Sequence, residues 1–232
     1  MLVSDLFQTL SFGELSNLSM SSGGGGTIAD SKKPQVLQFI NAALLRLHSR
    51  FVLRENSLIL QQDTTIRNYR LSSKFAVTAV SPPTGQVQFI IDTVDAPFTD
   101  DVIKVLVAFD EFGCELPIND SDDCRSIFTP SPYVVQVPSP IGGLKLGIGY
   151  QAKHPKLTAY TDTIDLPETL IDALTAYVGY LAYCGVAGDG GTAKSQEFLA
   201  LYEARCAEVT QMDLVNSSSS TTNTRFHKGG WP

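Results

Sequence analysis

Residues 34–62, PQVLQFINAALLRLHSRFVLRENSLILQQ, carry the change of period on which the fold turns. In the first part Val36, Leu37, Ile40, Leu44, Leu47 and Phe51 fall on one stripe at helical spacing, widened by Ala43 and Leu45. Pro34 suits a first helical turn, where its missing N–H would have no intrahelical partner. The spacing predicts a helix over 34–54. From Ser57 to Gln62 the residues alternate or are β-branched, which is the signature of a half-buried strand.

Downstream the strand signature continues to about residue 157. Arg67–Leu71, Phe75–Val80, Gln86–Asp92, Tyr133–Val137 and Leu144–Tyr150 read as strands, and the more continuously apolar Ile103–Asp110 as a central one. Pro82-Pro83-Thr84-Gly85, Glu111-Phe112-Gly113, Asn119-Asp120 and Gly142-Gly143 supply the turns. Short strands at this spacing predict an antiparallel sandwich or small barrel. Upstream, Val3, Leu6, Phe7, Leu10, Leu15 and Leu18 predict an amphipathic helix over 3–20, with Gly13 and Glu14 as weak points. Gly23–Gly26 have linker composition, and no Lys-Ser/Thr follows them to make a phosphate loop.

Helical period returns over 165–213. Asp165 is the expected N-cap, with Pro167 and Glu168 behind it. Leu170, Ile171, Leu174, Tyr177, Val178 and Leu181 form one apolar face. After a turn at Gly185–Gly191, a second helix starts at Thr192 or Ser195 and directs Phe198, Leu201, Tyr202, Cys206 and Val209 inward. Asn216–Asn223 is almost entirely Ser and Thr, too polar to pack a core. It leads to Arg225, Phe226, His227, Lys228 and Trp231, an aromatic and basic tip with the composition of a docking tail.

The fold class expected is therefore α+β: a helical body built from N-terminal and C-terminal helices, an inserted antiparallel β domain, and a flexible C-terminal tail. The expected division is 1–55, 56–160, 161–213 and 214–232.

The net charge of −7 argues against a protein that grips DNA by neutralising phosphates. Arg46, Arg50 and Arg54 repeat every fourth residue, either as a solvated face or as a candidate inter-subunit face. Cys114, Cys124, Cys184 and Cys206 show neither disulfide-framework nor zinc spacing, and Cys184 and Cys206 are expected as small buried residues. No signal peptide and no apolar run near the roughly 20 residues of a membrane span is read, so no membrane partner is expected. His48 sits among Leu44, Leu47 and Phe51 as a packed or half-exposed histidine, and His154 precedes Pro155 in a loop. No G-x-S-x-G or H-E-x-x-H occurs, and Asp120–Asp123 lacks the glycine and distal Glu of a calcium loop. No catalytic, cofactor or metal residues are assigned.

Several stretches resemble the head-to-tail adaptor (connector) proteins of podophages and related tailed phages. They are Phe39–Leu44 running to Phe51, Phe109–Gly113 leading into Pro117–Asp120, Leu146–Tyr150 with Gln151-Ala152, Ile164–Pro167 through Val178 to Tyr202-Glu203, and the ending Phe226–Trp231. The resemblance implies a virion structural protein and no enzyme. It implies a homo-oligomeric ring of about twelve copies under the portal protein. A tail or nozzle protein would sit below, and genomic DNA would pass without specific binding. It places the protein in the virion neck, after assembly in the host cytoplasm. The portal contact would fall on Phe226, His227 and Trp231. Another neck, stopper, tail or baseplate protein is the alternative, and a virion enzyme or glycan-binding module a further one.

Overall fold

A computed structural model describes residues 1–16, 18, 28–80, 85, 87–186 and 188–215. Helix α1 (Val3–Phe12) opens the chain and α2 (Lys33–Arg50) follows. The strands are β1 (Glu55–Gln61), β2 (Asn68–Arg70), β3 (Ile90–Ile91), β4 (Val102–Phe109), β5 (Glu115–Leu116), β6 (Phe128–Ser131), β7 (Val134–Gln136) and β8 (Lys145–Ala152). Helices α3 (Ile171–Cys184) and α4 (Asp189–Gln211) close the described part.

The helices share one apolar cluster. Val3, Leu6 and Leu10 of α1 and Val36, Ile40, Leu44 and Leu47 of α2 meet Leu174 and Val178 of α3 and Tyr202, Cys206 and Val209 of α4. Both ends of the chain thus build the helical body. Helix α1 is shorter than the expected 3–20. Gly13 N–H closes its last bond on Thr9 and the chain then reverses, yet Leu15 still reaches the core. Its start is pinned to the far end of the β region, through Val3 N–H to the Asp162 carbonyl and Ser4 N–H to the Tyr160 carbonyl. Asp5 accepts a bond from Leu2 N–H, filling one of the free donors at the helix start.

Helix α2 ends at Arg50, four residues before the expected 54, because Phe51 turns extended and the Arg54 carbonyl accepts the Ala152 N–H. Leu45, expected inward, is exposed, as is Leu201 of α4. Asp165 does not cap α3. A 3₁₀ turn over Glu168–Leu170 leads into that helix, and Asp165 N–H donates instead to His154 Nε2. Helix α4 begins at Asp189, before the expected Thr192 or Ser195. Cys184 is exposed and Cys206 buried, so only the latter fits the expected pair.

The β region has two antiparallel sheets and does not close into a barrel. The larger has the order β3-β1-β8-β4-β5, the smaller β2-β7-β6. The 103–110 segment, expected as a central strand, is β4, an interior strand between β8 and β5, and β8 is the middle strand of the larger sheet. Leu58, Leu60, Leu146, Ile148 and Tyr150 from the large sheet and Tyr69 and Val135 from the small one join a second apolar cluster. The expected strand Phe75–Val80 is absent. Ser73–Phe75 form a 3₁₀ turn, Ala76 makes one isolated bridge to Ile90, and the Asp92 carboxylate takes both Thr78 N–H and Oγ1–H. Among the described residues of the expected 86–92 strand, Ile90–Ile91 form β3 and the Phe89 carbonyl accepts Gln61 N–H, and the brief β5 and the four-residue β6 had no sequence signal strong enough to be read.

Candidate assembly surfaces

The arginine row is broken by the end of α2. Arg46 and Arg50 lie on the helix, and Arg54 lies beyond it. Arg50 is committed within the chain: its guanidinium bonds Glu203 of α4 at 2.5 Å and stands 5.8 Å from the ring centre of Tyr202. Tyr202 is fully buried, and burial, then the neighbouring Cys206, pushes its phenol up to about 12. Burial likewise raises the Cys206 thiol, so neither group is an activated nucleophile. Arg54 is half-buried and lines a cleft of about 410 Å³ with Asn56, Asp92, Phe98, Asp101 and Tyr150. Asp101 there accepts from Asn56 at 2.7 Å and from the Tyr150 hydroxyl at 2.8 Å, and burial raises the Tyr150 phenol. Arg46 and Arg50 are both exposed, but Arg50 is paired with Glu203 whereas Arg46 makes no ion pair among the described residues. The expected docking residues Arg225, Phe226, His227, Lys228 and Trp231 lie outside the described residues, as does Gly23–Gly26.

A polar seam joins the end of α2 to the end of β8. His48 is 1% exposed. Its Nδ1 lies 3.3 Å from the Ala152 carbonyl, which assigns the proton to Nδ1, and its Nε2 has no hydrogen-bond partner among the described residues. The His154 ring stands edge-on with centres 5.6 Å apart. Since His154 Nε2 accepts from Asp165 N–H at 3.0 Å, its Nδ1 donates to the Pro155 carbonyl. Both imidazoles are therefore neutral. Burial first, then the proximity of His154, holds His48 down to about 4, and burial also lowers His154. Beside them the Gln151 amide donates to the His48 carbonyl and, at 3.0 Å, to the Phe51 carbonyl. Asn41 binds the returning chain twice, donating to the Leu157 carbonyl and accepting from its N–H. This seam was not legible beforehand, because it depends on pairings across the whole β region.

A second surface is the outer face of the large sheet. The pairing register puts Ile59, Gly147 and Phe109 in one row across β1, β8 and β4, and Ser57, Gly149 and Val107 in the next. These residues line an open furrow of about 420 Å³. Ile59 is 44% exposed there. At the end of β4 the turn Asp110–Gly113 projects Phe112, which is 82% exposed.

No group of three or more His, Cys, Asp or Glu among the described residues could hold a metal ion. Among the described residues no helix is long and apolar enough to cross a membrane. Two of the Asp120–Asp123 carboxylates are spent on their own turn, Asp120 accepting Asp122 N–H and Asp123 accepting Arg125 N–H. Residues 11–225 match the family model described as SU10 adaptor protein. No curated protein matches the chain.

Proposed function

The chain belongs to the SU10 adaptor protein family of phage structural proteins, and from that premise we propose that it is the head-to-tail adaptor of a tailed bacteriophage. About twelve identical copies form a ring beneath the portal, extend the DNA channel and offer a platform to the tail protein below. The observation that carries this reading is the extent of the family match, residues 11–225, which runs from the end of α1 through α2, both sheets and both C-terminal helices. The net charge of −7 supports a channel that lets DNA slide, because like charge repels phosphate. In this reading the protein catalyses nothing and needs no cofactor. It assembles in the host cytoplasm and ends in the virion neck. The division at 55/56, 160/161 and 213/214 separates body, β domain, returning helices and tail. Of the arginine face, Arg46 is the residue left to meet a neighbouring copy.

The portal contact falls on the C-terminal tip, with Phe226 and Trp231 as anchors and Arg225, His227 and Lys228 adding attraction to an acidic surface. A tether ordered on its partner loses entropy, which buried aromatic area offsets, and many copies make a weak contact sufficient. The test is co-sedimentation of a Phe226→Ala, Trp231→Ala double variant with portal-bearing heads. Binding should fall by at least about tenfold while thermal melting is unchanged. Unchanged binding would remove the tail from this role, and failure of the unaltered protein to bind heads would remove the adaptor reading.

A further inference from the structure

Two apolar features of the sheet surface, the side chains around Gly147 and the Phe112 ring, are left uncovered among the described residues. The first is the furrow. Glycine at two successive outward positions of a central strand weakens that strand and marks close approach by another group. For Gly149 the group is internal: a Cβ there would lie 2.6 Å from Val107 Cγ1, so Val107 already occupies the place. For Gly147 nothing internal explains the glycine, since an added Cβ would make an ordinary contact of 3.7 Å with Phe109 Cβ. The furrow is thus open to the outside above Gly147, between Ile59 and Phe109.

The second is the tip. Asp110 Oδ1 accepts both Phe112 N–H at 2.9 Å and Cys114 N–H at 2.8 Å. Asp110 N–H returns to the Cys114 carbonyl, Gly113 N–H bonds the Asp110 carbonyl, and Gly113 takes φ +78°, which favours glycine. A large apolar side chain is therefore held out in water on a stapled turn. Such preorganisation lowers the ordering cost of binding.

We infer that Phe112 of one copy seats in the outer-sheet furrow of the next. Phe112 lies past the end of β4 and stays exposed, so it does not fill the furrow of its own copy. Knob and hole on different parts of one subunit make a heterologous contact, the kind that closes into rings. Charge fits the same arrangement. Lys145 shares the furrow face two residues from Gly147, Glu111 adjoins Phe112, and neither makes an ion pair among the described residues. Glu115 stands beside Phe109 and Glu55 lines the end of the furrow opposite Lys145, so like charge directs Glu111 to the Lys145 end. Strand addition between copies is disfavoured, because the edge strands β3 and β5 have two residues each. The inference rests on the ring reading above and specifies which surfaces meet.

The test uses the full chain, with self-association measured by sedimentation velocity over a wide concentration range and copies retained measured on portal-bearing heads. Phe112→Ala removes the knob and Gly147→Val fills the hole, its Cβ making an ordinary contact of 3.7 Å with Phe109 Cβ. Each should weaken association, in solution or on heads, by at least about tenfold with normal melting. Glu111→Lys and Lys145→Glu should each assemble poorly alone, and an equal mixture should recover, since every contact in an alternating ring then pairs opposite charges. Normal assembly of Phe112→Ala, or no recovery in the mixture, overturns the contact. If heads load normally with every variant, the contact falls and the adaptor reading stands. If heads stay empty while Phe112-dependent oligomers form, the contact stands and the adaptor reading falls. No association at any concentration together with empty heads overturns both.

Discussion

Replacing His48 with Leu should change the pH dependence of stability more than stability itself. The side chain is buried with Nε2 unpartnered and is held down to about 4, against an ordinary value of 6.5. Its folded pKa is lower than its unfolded one, so between those values the unfolded chain binds more protons. Stability is complete above about pH 6.5, falls as the pH drops toward 4, and changes no further below that for this group. The full linkage is about 3 kcal/mol, of which about 2 kcal/mol is lost by pH 5. At neutral pH the Leu variant loses one weak bond to Ala152 and also the cost of an unpaired nitrogen, so it should lie within about 1 kcal/mol of the parent. At pH 5 it should be the more stable by about 2 kcal/mol. Urea unfolding followed by circular dichroism at neutral pH and at pH 5 measures both. Asp162, held low by the N–H groups of Ala159 and Thr158, titrates below this window. His154 remains in both proteins and leaves a residual slope in each. Parallel stability curves for the two proteins would show that His48 is not kept neutral by its surroundings, and the account of the seam would fail.

Two further substitutions test the packing. Gly149→Ala should cost about 1–3 kcal/mol by forcing Val107 aside, whereas Gly147→Ala should be neutral or stabilising, and thermal melting of the pair distinguishes them. Gln151→Leu should cost about 2 kcal/mol through loss of the amide bonds to the His48 and Phe51 carbonyls, read as a lower urea midpoint.

What could be read from the chain beforehand was whatever depends on local period. The stripe Val36, Ile40, Leu44 and Leu47 is buried as its spacing requires, and Leu58 and Leu60 alternate inward on β1. What failed was decided at a distance. Phe51 continues the helical spacing, yet the chain leaves the helix there and Ala152 takes the Arg54 carbonyl. Phe75–Val80 has strand composition, yet the Asp92 side chain captures Thr78 and bends it away. Leu45 and Leu201 have core composition and face water. Of the site, the turn at Glu111–Gly113 was legible from its residues, but the exposure of Phe112 was not, because it depends on what stands nearby in space. Arg50 looked free in sequence and is held by Glu203. The tail residues lie outside the described part of the chain.

The helical core takes residues from both ends of the chain, whereas the sheet core is complete once β8 has been made. The β region therefore has all its apolar partners while α1 and α2 still lack theirs. During synthesis these two amphipathic helices emerge before the β region, and the faces that meet α3 and α4 stay uncovered until those helices leave the ribosome. Contacts of such large sequence separation form late, since loop-closure entropy must be spent before they stabilise anything. The β region is thereby expected to fold before the helical body, whose closing step is the docking of α3 and α4 on α1 and α2.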